Sequence, residues 1–172
     1  GSTVTLDVGF LRTLRIPDDG KTYPLPPGLG YFPLAHVEDY ADRVPSEWLE
    51  RGGVMLPLHQ SEALWIYFHA AYQVHRHTEY PFAVKVATGK VCAVSGEPWR
   101  EGVHQHPQNY VVCPHQPWLD GYCVRKGIVR QFVAMPLGQG YTAEEQLTGE
   151  AVWGGLQVQA YPMRRKEFER LH

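Results

Sequence analysis

The histidines in the middle of the chain are the residues whose type and spacing best suit a metal site. Two pairs have the form His-x-His, His75 with His77 and His104 with His106, and His115 follows them. On a strand, both imidazoles of such a pair lie on one face, and they bind zinc or another divalent transition metal when a third ligand converges. The glutamate and glycines of a cupin-like site are missing from this pattern. The alternative interpretation is solvated loop histidines with no cofactor.

A second set combines polar and aromatic side chains in segments that we expect to be strands. If its members converge, they form a concave polar patch walled by aromatic rings, which is the composition of a specific ligand pocket. The residues of this predicted patch are Gln60, Glu62, Trp65, Trp118, Asp120, Gln131 and Tyr141.

Two of these residues also suggest catalysis. Glu62 and Asp120 lie beside aromatic residues and could be an acid and base pair with separated pKa values, as in glycoside hydrolysis. The structural alternative is that Asp120 caps a turn before Gly121. Likewise, Gln60 and Gln131 could be hydrogen-bonding partners in the core.

Other catalytic motifs are incomplete. Ser95 precedes a glycine but lacks the Gly-x-Ser-x-Gly elbow of a serine hydrolase. The run Gly138-Gln139-Gly140 is half of a dinucleotide-binding fingerprint, without its third glycine or a βαβ unit. The three cysteines have no CxxC spacing and cannot all pair, which favours a reducing compartment; they are Cys92, Cys113 and Cys123.

Composition sets the broad class. The chain has 172 residues, 44% hydrophobic and 20% charged, which suits one globular domain with a core of its own. A net charge of -2 without a Lys/Arg run argues against nucleic acid as a partner. No apolar run is long enough for membrane insertion, so we expect a cytoplasmic protein. The opening Gly1-Ser2 resembles a cleavage scar from an expression vector, and a native leader could precede it.

Period-two patterning and turn signals predict mainly strands. Hairpins are expected around Thr88-Gly89 and Lys126-Gly127, because glycine accommodates the positive φ of tight turns, and residues 96–109 are expected to be a long loop. The predicted strands cover residues 4–10, 64–68, 82–86, 91–94, 118–124, 128–135 and 156–160. We expect one core to contain Trp65, Phe132, Ala134, Leu156 and Val158.

Helices are predicted to be short. One covers residues 36–44, and another begins with Ser46 as its cap, turns Trp48 and Leu49 inward and ends at Gly52. Thr142 and Glu145 form the signature of a capping box at the start of a helix over 142–148. A charged helix is expected over 163–172.

Five blocks of the sequence carry a resemblance. They read RIPDDG at 15–20, QSEALW at 60–65, QPWLDG at 116–121, RQFVAMPLG at 130–138 and GGLQ at 154–157. Together they resemble an uncharacterised family of bacterial and fungal proteins, over most of residues 12–160. The family carries no assigned activity, so the resemblance implies a single domain and no mechanism. Its pattern contains neither His115 nor the His-x-His pairs.

These features predict an α+β fold, a single domain over residues 3–162 dominated by antiparallel sheet, as a sandwich or half-barrel, with short helices. The leading functional hypothesis is a non-catalytic module that binds a protein partner or a small polar ligand through the predicted patch. The alternative is a metal-dependent hydrolase or oxidoreductase that uses the histidines, so whether the protein is an enzyme stays open, as does its oligomeric state.

Overall fold

Alternating burial along one ten-residue strand organises the fold. In the computed structural model, which describes residues 3–72 and 79–171, the strand Ala63–Tyr72 buries Leu64, Ile66 and Phe68 on one face. Successive strand residues point to opposite faces, so Trp65 lies on the other side of the sheet. The antiparallel neighbour of this strand, Val4–Thr13, pairs with it along its full length.

The described residues form twelve strands and three short α-helices. In chain order the strands are β1 (Val4–Thr13), β2 (Gly28–Tyr31), β3 (Ala35–His36), β4 (Val54–Met55), β5 (Ala63–Tyr72), β6 (Phe82–Thr88), β7 (Val91–Cys92), β8 (Val111–Cys113), β9 (Trp118–Leu119), β10 (Gly121–Arg125), β11 (Ile128–Val133) and β12 (Leu156–Pro162). The helices are α1 (Ser46–Arg51), α2 (Ala143–Thr148) and α3 (Arg165–Leu171), and a 3-10 turn covers Val37–Tyr40.

The larger sheet has the order β10-β11-β5-β1-β2, and β9 also pairs with β5. The smaller sheet has the order β12-β6-β7, with β8 also on β6. All these pairs are antiparallel, and β3 and β4 form a separate two-stranded ribbon. The prediction of a single α+β domain dominated by antiparallel sheet is therefore confirmed.

One hydrophobic core joins the two sheets. It combines the inward side chains of β5 with those of β6, where Val84 and Val86 are fully buried, and Phe168 of α3 closes it at one end. The strand β6 is unusual because its opposite face is buried as well: Lys85 and Ala87 have relative exposures of 1% and 0%. A layer of loop therefore covers the outer face of the smaller sheet.

The predicted core was only partly right. Phe132 belongs to the core and Leu156 packs against it, whereas Ala134 is half-buried outside it. Trp65 was placed wrongly because its neighbours Leu64 and Ile66 take the inner face. Val158 was also wrong: it is 38% exposed, because β12 is an edge strand with no neighbour beyond it.

Some predicted boundaries also change. The expected strand over 118–124 is divided into β9 and β10 at Asp120. In α1, Pro45 rather than Ser46 is the cap, and Trp48 is 47% exposed because the helix is too short to press a face onto the core. Gly52 does end this helix. Within the described residues, we find no helix with the length and apolar character that a membrane crossing requires.

Candidate functional site

The predicted patch does not form a single surface in the structure. Glu62 pairs with Arg12 at 3.0 Å between Oε1 and Nε, and its Oε2 accepts the His59 N–H at 2.9 Å. The Arg12 guanidinium lies 4.1 Å from the centroid of the buried Phe32 ring, on the core side of the sheet. Trp65 faces the opposite side, so the larger sheet separates it from Glu62.

The contacts of Glu62 explain it as part of the scaffold. The His59 N–H holds the pKa of Glu62 below its usual range, and Arg12 adds to this effect against partial desolvation. A carboxylate held ionised by two fixed donors is a poor general acid at neutral pH. The acid and base hypothesis for Glu62 and Asp120 thus gains no support from this geometry.

Gln131 also has a structural explanation. Its Oε1 accepts the Ile16 N–H and its Nε2 donates to the Leu14 carbonyl oxygen, both at 2.9 Å. The amide therefore fixes the chain after β1 instead of pairing with Gln60, which lies exposed in a turn.

The remaining patch residues lie apart from each other. Trp118 is opposite Tyr67 in register, so it shares the outer face of the larger sheet with Trp65. Asp120 is half-buried between β9 and β10, where its carbonyl oxygen accepts the Phe132 N–H. Tyr141 precedes α2, beside the smaller sheet, and is 57% exposed.

The histidines are placed as follows. His104, His106 and His115 are exposed, and the His104 Nε2 lies 2.8 Å from the Glu101 carbonyl oxygen. His75 and His77 lie outside the described residues. Among residues 3–72 and 79–171, no three histidine, cysteine or acidic side chains are grouped as metal ligands would be.

A different site lies on the outer side of the smaller sheet, at the turn between β6 and β7. A cleft of about 340 Å³ opens there, which is within the usual size range of small-molecule sites. It is lined by Gly89, Lys90, Pro98, Trp99, Glu144, Thr148, Glu150 and Trp153.

The hairpin turn Gly89-Lys90 forms the floor of this cleft. Both residues have positive φ, 54° and 63°, as expected for a two-residue type I′ turn. Position 89 requires glycine for two reasons. One is the positive φ, and the other is that a Cβ there would lie 2.4 Å from the Cβ of Glu144. Lys90 lacks the conformational freedom of glycine, and a non-glycine residue with positive φ costs on the order of 1 kcal/mol or more in backbone strain. Backbone strain of this kind is concentrated at functional sites.

Glu144 fixes the opposite wall. Its carboxylate is 2% exposed and accepts three consecutive backbone N–H groups, from Val152 and Trp153 at 3.0 Å and from Gly154 at 2.7 Å. Charge-assisted bonds of this kind are short and strong. They hold the segment that carries the Trp153 indole over the cleft.

The helix that supplies Glu144 is itself capped as predicted. The Thr142 hydroxyl accepts the Glu145 N–H, and the Glu145 carboxylate accepts the Thr142 N–H, which confirms the capping box. Glu145 also accepts the Gly140 N–H, and that bond is the main reason why its pKa lies below the usual range. α2 thereby has a fixed start, and Gly149 in the left-handed conformation ends it.

The Lys90 ammonium lies between two indoles. Its Nζ is 5.3 Å from the Trp99 ring centroid and 4.9 Å from that of Trp153. Arg51 approaches Trp153 as well, with Cζ 4.8 Å from the centroid. Among the ion pairs of the described residues, none includes Lys90. The cleft thus combines two aromatic surfaces with a cation that forms no ion pair with a carboxylate of the described residues.

Beneath the cleft lies a buried lysine. Lys85 donates from Nζ to the Arg100 carbonyl oxygen, and the same atom is 3.9 Å from the Trp99 ring centroid. Burial lowers the pKa of Lys85, an effect that the nearby Glu101 partly opposes. A small cavity of about 10 Å³, the size of one water molecule, adjoins it. Trp99 lines both this cavity and the open cleft.

Sequence reasoning missed Lys85, Lys90, Trp99 and Trp153. One signal could have pointed to Lys85. It interrupts the strand Phe82–Thr88, which is apolar from residue 82 to 87 apart from this lysine, and a lysine within a buried strand requires a special environment. Comparisons of the chain with protein-family models, with curated proteins and with solved structures give no match. The resemblance to the bacterial and fungal family therefore stays a prediction.

Proposed function

We propose that this domain is a non-catalytic binding module, and that it holds a small polar ligand with an anionic group in the cleft between Trp99 and Trp153. The observation that carries the proposal is Lys90, whose ammonium lies between two indoles without a carboxylate partner among the described residues. Its strained backbone is the second support.

The lining of the cleft defines the ligand class. An indole offers a broad apolar face on which a planar ring or the flat side of a sugar can stack. Lys90 supplies a cation for a carboxylate, and the Glu150 carboxylate on the exposed rim supplies acceptors for hydroxyls. A carboxylic acid with a flat body, such as a sugar acid or an aromatic acid, meets all three requirements.

The Glu144 carboxylate does not contradict an anionic ligand. Its three backbone donors occupy both oxygens, so much of its negative charge is compensated within the fold. Lys90 therefore supplies the charge on the floor of the cleft, whereas Glu150, the other carboxylate of the lining, lies on the exposed rim.

A titration of tryptophan fluorescence tests the proposal. Glucuronate and 4-hydroxybenzoate would be titrated against the purified chain, with glucose and phenol as neutral counterparts. We expect the acids to change the emission and the neutral compounds to do so much more weakly. A panel in which no acid changes the emission would refute the proposed ligand class.

Matched variants separate this site from the rest of the surface. Lys90→Gln should weaken binding of the acid by about 10- to 100-fold, because a hydrogen bond to a charged group contributes about 1.5–3 kcal/mol. Lys126→Gln changes the equivalent lysine at the tip of the other hairpin and should leave binding unchanged. Trp153→Ala should abolish stacking, whereas Trp118→Ala, with the same 45% exposure on the larger sheet, is its control.

Equal weakening by Lys90→Gln and Lys126→Gln would show that the acid responds to net charge alone, and would overturn the proposal. The histidine-based enzyme is not proposed as a second function, because no observation on the described residues favours it.

A further inference from the structure

Lys85 has an environment that simple folding needs do not explain. The side chain is 1% exposed, and no ion pair of the described residues includes it. Buried lysines are rare unless they are paired, since desolvation of an ammonium is costly. A methionine or leucine would fill the same position in β6 without that cost.

The surroundings of Lys85 suit a reactive amine. Its nitrogen touches a carbonyl oxygen and an aromatic face, and desolvation favours the neutral, nucleophilic form. Gln159 is paired with Lys85 in register on β12, and its Oε1 is buried without a hydrogen-bond partner in the part of the chain that the structure describes. A buried acceptor without a partner, on the strand paired with that of Lys85, requires an explanation.

Trp99 controls access to this amine. Trp99 and its neighbour Pro98 line both the small Lys85 cavity and the cleft of about 340 Å³, so they form the wall that the two spaces share. On the Trp99 indole nitrogen we find a 3.3 Å hydrogen bond to the exposed Glu101 carboxylate, which is long for such a bond. A rotation of this side chain would join the two spaces.

We infer that Lys85 is a covalent attachment site for a small aldehyde or ketone, which reaches it through the cleft when the Trp99 indole turns aside. The neutral amine adds to the carbonyl carbon and forms a carbinolamine, and one proton passes from the nitrogen to the carbonyl oxygen. The carbinolamine then loses water and leaves an imine, so the carbonyl oxygen departs with both amine protons. The step needs no oxidant, reductant or cofactor.

Attachment at Lys85 uses the same cleft as the proposed ligand binding at Lys90. Two variants can disprove either proposal without the other. Lys90→Gln should weaken non-covalent binding of carboxylates by about 10- to 100-fold and leave imine formation at Lys85 in place. Lys85→Arg should do the reverse, because a guanidinium retains the charge and cannot form the imine.

Propanal with sodium cyanoborohydride, which converts an imine to a stable secondary amine, tests the inference. The chain contains five lysines, Lys21, Lys85, Lys90, Lys126 and Lys166. Peptide mapping by mass spectrometry therefore gives a labelling rate for each in one experiment at pH 7. Lys21, Lys126 and Lys166 serve as internal references, since all three are exposed.

We expect Lys85 to be labelled at least about fivefold faster than the references in the wild type, because desolvation enlarges its neutral fraction. If passage of the aldehyde past Trp99 limits the wild-type rate, the preference should appear in Trp99→Ala, where the wall is open and the other residues of the small cavity still surround the amine. The preference should disappear in 8 M urea, where all lysines are solvated alike. If Lys85 is slower than or equal to the references in both the wild type and Trp99→Ala, the inference is wrong, and Lys85 only anchors the loop at Arg100. The labelling rate is measured for each lysine in each protein separately, so a reduced stability of Trp99→Ala does not affect the comparison of lysines within the wild type.

Discussion

Replacing Glu144 by glutamine tests the contact that builds the cleft. The substitution preserves shape, and one oxygen can still accept the Val152 and Trp153 N–H groups. The new amide nitrogen, however, would face the Gly154 N–H, which now lies 2.7 Å from Oε2. Two donors would oppose each other in a buried position.

The cost follows from two opposing effects. Loss of one charge-assisted hydrogen bond removes about 1.5–3 kcal/mol, and an unsatisfied buried donor adds about 1–3 kcal/mol. Removing a buried carboxylate, on the other hand, relieves part of its desolvation cost. We therefore expect Glu144→Gln to lower the free energy of unfolding by about 2–4 kcal/mol. For a chain of this length, that corresponds to roughly 5–15 °C in Tm.

Urea denaturation followed by fluorescence and by circular dichroism measures this difference. The matched control is Glu150→Gln, which removes the same charge from an exposed side chain on the rim of the same cleft and should change stability by no more than about 0.5 kcal/mol. If the two variants have equal stability, the three hydrogen bonds do not hold the Trp153 segment, and our description of the cleft is wrong.

Three further predictions concern other parts of the molecule. The pKa of Glu62 is lowered in the folded state, so its contribution to stability should be complete above the usual value of 4.5 and lost as pH falls through the folded pKa. Glu62→Gln should cost about 1 kcal/mol at pH 7, and urea titrations at a series of lower pH values should show this cost declining below pH 4.5. Burial raises the pKa of Cys113 to about 11, so a thiol reagent at pH 8 should modify the half-buried Cys123 first and Cys113 only on unfolding, as mass spectrometry would show. Trp65→Phe should cost less than about 1 kcal/mol, because the indole Nε1 is buried without a hydrogen-bond partner among the described residues; a thermal melt that shows a large loss of stability would contradict this.

Local interactions explain which elements the sequence could predict. The capping box of α2 needs only Thr142 and Glu145, three residues apart, and the turn at Lys126-Gly127 needs only a glycine between two alternating segments. Both were predicted correctly. The first hairpin was also predicted, but its turn is Gly89-Lys90 rather than Thr88-Gly89. The error has a physical reason, since a lysine with positive φ is rarely favoured by local energetics alone.

The site could not be predicted in the same way. Lys90, Trp99 and Trp153 lie on three segments, and their meeting depends on the buried carboxylate of Glu144. Nothing local marks Glu144, because a glutamate in the first turn of a helix is ordinarily a solvated residue that complements the helix dipole. The predicted patch failed for a related reason. Its residues lie on or next to strands, but the larger sheet places Glu62 on one face and the aromatic rings of Trp65 and Trp118 on the other.

The contrast between Glu62, Gln131 and Lys90 supports the location of the site. The first two are polar residues whose hydrogen-bonding groups are used within the fold, so their presence is explained by the structure they stabilise. Lys90 has the reverse character: its backbone stores strain, and its ammonium remains without an anionic partner among the described residues. Stability alone would favour glycine or asparagine at this turn position. A lysine in this strained position, between two indoles in an open cleft, supports our proposal that an anionic ligand binds to its ammonium.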